Sequence, residues 1–287
     1  MFKSVKQVRA AVSLVNPEAV RALASRRIAI GLAAGSSSEY AELEDFLVPA
    51  GVAHETRLQL MEGVYRAGDP DVPDDVDLVL CGHGTPCPSG AFSFRRDEPQ
   101  TTVTEILRAK DDLALPLARQ FPAFRRAATD RIVQAVACEN ALFTVATALP
   151  NVVPTLFELP WIVGEFASDT AFLTINQVRM AFLIAAACGG EIGFAHQKAE
   201  IVAIVGGAFG WRALARELAG KIPMGGGLIP KGAIAYAATF VVGKGLEHYH
   251  HARTPLTRAQ RKEVYEQAYE RGKAVAESIS KEAGRQG

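Results

Sequence analysis

Residues 132–163 read IVQAVACENALFTVATALPNVVPTLFELPWIV, an apolar stretch that proline interrupts three times. Further apolar runs follow up to residue 245, and proline, glycine or a polar residue ends each one before it reaches the ~20 residues that span a bilayer. Charges are sparse from residue 132 to residue 190 and frequent after His251. The stretch therefore marks the buried part of the protein, either the core of a soluble helical bundle or a set of helices that meet a membrane.

Basic residues and prolines bear on that choice. The predicted helix at 173–188 contains Arg179, and an arginine at the centre of a spanning helix costs about 2.5 to 3.5 kcal/mol. Arg179 must be paired, exposed at a rim or turned to a cavity. Residues 141–163 nevertheless fit a re-entrant or interfacial hairpin with Trp161 at the headgroup level. We expect membrane or partner contact through Phe157, Trp161 and Phe166.

Composition excludes several classes of protein. The chain has 287 residues, 49% of them hydrophobic, which excludes a disordered or fibrous protein. Its 31 basic and 31 acidic residues create no global field for nucleic acid, so we expect no nucleic-acid partner. The N-terminus lacks the continuous apolar core and cleavage site of a secretory signal. We expect a cytoplasmic protein, either free or attached, peripherally or integrally, at the cytoplasmic face of the inner membrane.

The first 115 residues alternate strand and helix patterns. Residues 27–34 and 76–80 predict buried strands, and residues 91–94 predict a third. The loop Gly35-Ser36-Ser37-Ser38 follows the first strand and leads into a predicted helix at 39–46. Another helix is predicted at 101–110. We interpret residues 1–115 as a small α/β domain.

After residue 115 the periodicity is helical throughout. Helices are predicted at 124–149, 156–167, 173–188, 199–220 and 234–249. Residues 116–252 are therefore predicted to be a hydrophobic α-helical domain of paired hairpins. Residues 253–287 form a charged amphipathic helix that Thr257 and Gln260 cap, and it docks on the helical domain by one narrow stripe. The stripe consists of Val264, Ala268, Val275 and Ile279. The predicted fold class is α+β overall.

Several segments of the helical region resemble a known family. They are residues 137–140, the proline-broken stretch to Pro160, TINQVRM at 174–180, residues 185–190, KIPMGGGL at 221–228 and AATFVVG at 237–243. Together they are similar to the YcjF-type hydrophobic domain of unknown function, which bacteria often fuse to Era-like GTPase domains. The resemblance covers residues 125–272. It implies an α-helical, membrane-associated domain without an assigned reaction, preceded by a degenerate GTPase-like region.

The loop at residues 31–38, GLAAGSSS, tests that implication. A nucleotide-binding P-loop needs a lysine that bridges the β- and γ-phosphates, and this loop has none. The amides and hydroxyls of Gly35, Ser36, Ser37 and Ser38 still suit a weak anion site at a helix N-terminus. Alternatively, Ser36 and Glu39 only cap the helix. We expect no GTPase activity from this degenerate P-loop-like layer.

The four cysteines, Cys81, Cys87, Cys138 and Cys188, are few for this length, so we expect no disulfide framework. Cys81, His83 and Cys87 are close enough to approach one metal ion, but no fourth ligand is evident. The alternative is a loop shaped by glycine and proline. We expect no cofactor and no metal.

Two functions remain from these observations. The first is a non-enzymatic scaffold or adaptor that binds membrane lipid, a protein partner or a second copy of itself. The second is a phosphate- or nucleotide-binding module at Gly35–Ser38 without efficient hydrolysis. No catalytic residue is identified in the sequence.

Overall fold

The computed structural model of the chain describes residues 15–148, 169–206 and 227–286, and these combine helices with a four-stranded parallel sheet. The predicted α+β class is confirmed. Residues 1–14, the predicted helix at 156–167 and the second half of the one at 199–220 lie outside the described residues. The chain divides into two compact units. The sheet unit comprises Ala19–Asp130 and Ala185–Glu191, and the helical unit comprises Met1–Glu18, Arg131–Ile184 and Ile192–Gly287.

The sheet is built from short strands. They are β1 (Ile30–Ala33), β2 (Val64–Arg66), β3 (Leu78–Cys81) and β4 (Phe92–Ser93). Their order is β2-β1-β3-β4, and each neighbouring pair is parallel. Ile30 of β1 lies opposite both Val64 and Leu78, so the register aligns the carboxyl ends of β1 and β3. The strand predictions at 27–34, 76–80 and 91–94 are confirmed with shorter bounds, whereas β2 was not predicted.

The sheet unit also contains helices, most of them short. They are α1 (Pro17–Ala24), α2 (Ser37–Leu47), α3 (His54–Met61), α4 (Pro99–Ala109), α5 (Ala114–Gln120) and the start of α6 (Pro122–Ala146), with a 3-10 turn at Asp111–Leu113. Apolar residues recur at helical spacing in α4, where Val103, Ile106 and Leu107 are fully buried. The sequence did not predict α3, because none of its residues is buried and its apolar residues do not lie on one face.

The described residues of the helical unit contain α6 from Arg131 onward and four later helices. These are α7 (Asp169–Ala187), whose last three residues belong to the sheet unit, α8 (residues 198–206), α9 (Leu228–Ala252) and α10 (Arg258–Gln286). The predicted cap of α10 is confirmed, because the Gln260 amide donates to Thr257 Oγ1 at 3.3 Å and the Thr257 amide donates to Gln260 Oε1 at 2.9 Å. Ala268, in the predicted stripe, is fully buried. The helix therefore docks by one face, as its pattern indicates.

Small residues bring α9 and α10 close together. A Cβ added to Gly272 of α10 would lie 2.9 Å from the Ala233 carbonyl oxygen of α9. A Cβ added to Gly232 would lie 2.9 Å from Ala276 Cβ. Both distances are shorter than carbon contacts of this kind allow, so glycine is needed at these two crossings.

A buried polar network joins three helices of this unit. Asn140 Nδ2 donates to Thr239 Oγ1 at 2.8 Å, and Asn176 Nδ2 donates to Asn140 Oδ1 at 2.9 Å. All three side chains are almost completely excluded from solvent. Arg179 is paired with Glu139, in a half-buried contact. In the described ranges, no helix has both the length and the apolar character that crossing a bilayer requires.

Candidate functional site

The carboxyl ends of β1 and β3 form the first candidate site. In the strand order, β2 lies beyond β1 and β4 lies beyond β3. The connections that follow β1 and β3 therefore run toward opposite edges of the sheet. A parallel sheet opens a crevice at such a reversal, and ligands of α/β proteins commonly bind there. Residues 34–38 follow β1 and residues 82–87 follow β3, so both loops lie at this edge.

Glu39 organises the loop after β1. Its Oε2 accepts a hydrogen bond from the Gly35 amide at 2.7 Å and another from Thr85 Oγ1 at 3.3 Å. The Glu39 amide in turn donates to Ser36 Oγ at 3.2 Å, which makes Ser36 the N-cap of α2. The capping interpretation of Ser36 and Glu39 is confirmed.

The predicted anion-binding residues lie together at this position. Gly35 and Ser36 precede α2, Ser37 and Ser38 form its first turn, and all four are exposed. The Glu39 carboxylate already occupies the Gly35 amide, so an added anion would compete with it and meet its charge. Binding of phosphate at this loop stays a prediction.

Cys81 and Cys87 form a disulfide whose Cα atoms are 5.8 Å apart. We expected no disulfide framework, and this single bond was not predicted. It contradicts the alternative of a metal held by Cys81, His83 and Cys87. Both thiols are consumed by the bond, and His83 is exposed. Cys138 and Cys188 are present as thiols. Within the described part of the chain, no cluster of three or more His, Cys, Asp or Glu could hold a metal ion.

The second candidate site is a groove in the helical unit, and we call it the α8–α9 groove. Its volume is about 390 Å³. Helices α8 and α9 and the start of α10 form its walls. The lining residues are Ala199, Glu200, Ala203, Ile204, Val241, Val242, Gly245, Leu246, Tyr249, Pro255, Leu256 and Arg261. The walls are thus mainly apolar, with Glu200 and Arg261 as the charged residues among the lining side chains.

Glu200 faces His250 in an environment that disfavours charge. Glu200 Oε1 lies 3.5 Å from His250 Nε2, and the two side chains are 10% and 9% exposed. Among the described residues, neither Glu200 Oε2 nor His250 Nε2 has a hydrogen-bond partner. Burial raises the pKa of Glu200 and lowers the pKa of His250. Burial therefore disfavours the charged form of both groups, and Glu200 is a polar group in the wall of an apolar groove.

Sequence reasoning missed this site. His250 lies in the segment EHYHH at residues 247–251, and Glu200 lies 50 residues earlier in the chain. No short motif links the two positions. The predicted contact residues Phe157, Trp161 and Phe166 lie outside the described residues.

Comparison of the chain with protein-family models, with curated proteins and with solved structures finds no match in any of the three.

Proposed function

We propose that the protein is a non-enzymatic scaffold that attaches to anionic lipid through the α8–α9 groove. In this proposal the helical unit is a hydrophobic helical-hairpin bundle of YcjF type, and the sheet unit is a degenerate P-loop-like layer. The parallel sheet and the β1–loop–α2 connection support the second part of the proposal. The α8–α9 groove supports the first part, the attachment to anionic lipid.

The groove and its surroundings expose apolar surface. Tyr249 lines the groove and is 38% exposed, and Val202 of α8 is 63% exposed. Ala203, which also lines the groove, is exposed as well. Contiguous exposed apolar surface marks sites of partner or membrane contact. A cavity of this volume also lies in the usual range of small-molecule sites, which suits an acyl chain.

Positive charge at the groove favours an anionic headgroup. Arg261 lines the groove and is exposed, and Arg253 lies close enough to Glu200 to influence its ionisation. Each basic residue near an anionic membrane contributes about 1 kcal/mol. An anionic lipid therefore fits this groove better than a cationic or neutral ligand.

Vesicle sedimentation tests the proposal. The full chain should sediment with phosphatidylglycerol vesicles and remain in solution with phosphatidylcholine vesicles. Added salt should weaken the interaction, because it screens the headgroup charges. Equal binding to both vesicles, binding to neither, or a soluble dimer that never binds vesicles would overturn the proposal.

The phosphate-binding alternative has weaker support. It needs the Gly35 amide, and that amide is already hydrogen bonded to Glu39. We therefore do not propose it as the function.

A further inference from the structure

We propose that the Cys81–Cys87 disulfide is a reversible thiol–disulfide exchange site, opened by a dithiol reductant. It lies in the sheet unit and does not depend on the lipid-binding proposal. Its place at the carboxyl ends of β1 and β3 gives the exchange a structural consequence at the crevice.

The two cysteine residues differ in exposure to solvent. Cys81 ends β3 and is fully buried, whereas Cys87 lies in the following loop and is exposed. Exchange requires a thiolate to reach one sulfur of the bond while the other leaves. The attacked atom is therefore Cys87 Sγ, and the leaving group is the Cys81 thiolate.

The exchange balances as a two-electron reduction. A reductant thiolate bonds to Cys87 Sγ, the protein S–S bond breaks, and the Cys81 thiolate takes up a proton. The second thiol of the reductant then attacks the reductant sulfur that is bonded to Cys87. This closes the reductant's own disulfide and releases Cys87 as a thiol. The protein gains two thiols, and the dithiol leaves as a cyclic disulfide.

The ring that this bond closes holds Thr85 at the crevice. Thr85 Oγ1 donates to Glu39 Oε2 at 3.3 Å, and the Thr85 amide donates to the Gly82 carbonyl at 3.2 Å. Gly82 lies so close that an added Cβ would be 3.0 Å from Glu39 Oε2. The disulfide therefore keeps the loop at residues 82–87 next to Glu39, which also accepts the hydrogen bond from the Gly35 amide.

Opening the bond should leave the sheet in place. The Gly82 amide donates to the Ala33 carbonyl at 2.8 Å, and the Phe94 amide donates to the Cys81 carbonyl at 2.8 Å. These ladder bonds do not involve the sulfurs. The loop after β3 is exposed at His83, Gly84 and Pro86, so it loses its tether while β3 keeps its neighbours. Reduction thus releases Thr85 from Glu39 and opens the crevice.

Alkylation and hydrogen exchange on the full chain test the proposal. After treatment with oxidised dithiothreitol, alkylation of the native protein should leave Cys81 and Cys87 unlabelled. Reduced dithiothreitol should make both reactive together, without denaturant. Hydrogen exchange of the Thr85 amide and of the Gly35 amide should then rise roughly tenfold or more, while the Gly82 amide, β1 and β3 stay protected.

Two variants control the measurement. Cys87→Ser should show the faster exchange without any reductant, because it cannot form the ring. Cys138→Ser should respond as the wild type does, since burial raises the pKa of the Cys138 thiol and lowers its reactivity. The proposal is overturned if Cys81 and Cys87 alkylate after oxidation, if the bond resists dithiol until the protein unfolds, or if reduction leaves exchange of the Thr85 amide unchanged.

Discussion

The Gly35 amide donates a hydrogen bond to Glu39 Oε2 across 2.7 Å, so a carboxylate from α2 closes the loop that precedes the same helix. This contact decides how the loop after β1 is used. A P-loop leaves such amides open for phosphate, whereas here an internal carboxylate satisfies one of them. The loop is organised as a helix cap.

Glu39→Ala should therefore destabilise the protein. The substitution leaves the Gly35 amide and Thr85 Oγ1 without their acceptor, and losing a cap of this kind costs about 1 kcal/mol. Urea unfolding of the full chain measures the change. Glu39→Gln keeps an acceptor oxygen and should lose less. A Glu39→Ala protein as stable as the wild type would show that the contact has no energetic role.

For the buried network around Asn140 we expect a larger loss of stability than for Glu39→Ala. Asn140→Ala leaves the Asn176 amide and the Thr239 hydroxyl buried without this partner, which costs about 1 to 3 kcal/mol. Gln134→Ala is the control, because Gln134 is exposed on the same helix. This substitution should change the free energy of unfolding by no more than about 0.5 kcal/mol. Urea unfolding that gives the same small change for both variants would contradict the role of the network.

Close packing of α9 on α10 predicts opposite outcomes for two glycines. Gly272→Ala should destabilise the protein by about 1 to 2 kcal/mol, since the new Cβ meets the Ala233 backbone and the helices must separate. Gly245→Ala should stabilise it by about 0.5 to 1 kcal/mol, because Gly245 faces open space within a helix. Thermal unfolding compares the two variants. A shift in the same direction for both would refute the packing argument.

Glu200 predicts a specific pH dependence of stability. Burial raises its pKa above the ordinary 4.5, against smaller opposing effects of a backbone hydrogen bond and Arg253. Between 4.5 and the raised value, the folded protein holds a proton that the unfolded chain has released, so the unfolding free energy falls as pH rises. Glu200→Gln does not titrate. Its stability relative to the wild type should therefore grow as pH rises through this window and then level off.

For His250 we expect the unfolding free energy to change with pH in the opposite direction, in the same experiment. Burial, followed by Arg253 and His251, lowers its pKa below 6.5, so stability is lost as pH falls from 6.5 through the lowered value. The advantage of His250→Gln over the wild type should therefore grow toward acidic pH. Urea unfolding between pH 4.5 and 8 measures both variants. If the effect of Glu200→Gln is the same at every pH, Glu200 keeps an ordinary pKa in the folded protein.

Local patterns explain what could be predicted from the sequence. Thr257 and Gln260 are three residues apart, and so are Ser36 and Glu39, so the contacts that cap α10 and α2 follow from spacing alone. The buried strands β1 and β3 were equally recognisable from their apolar runs. In contrast, β2 has three residues without full burial and gains its place by pairing with β1.

Contacts set by the path of the chain were not predictable. The Cys81–Cys87 bond depends on how the loop returns to the end of β3, and spacing alone equally suited a metal. The approach of Glu200 to His250 depends on how α8 packs on α9. The α8–α9 groove arises from the same packing, so the sequence contained its apolar residues without indicating their arrangement.

The claim that lipid enters the α8–α9 groove is tested most directly by vesicle affinity of two matched variants. Ala203→Asp places a charge on an exposed residue that lines the groove, and Ala195→Asp places it on an exposed residue outside the lining. We expect Ala203→Asp to weaken binding to phosphatidylglycerol vesicles about tenfold or more, because a carboxylate must then meet apolar lipid. Ala195→Asp should weaken it by less than about threefold. Equal affinities for the two variants would contradict the proposed attachment through the groove.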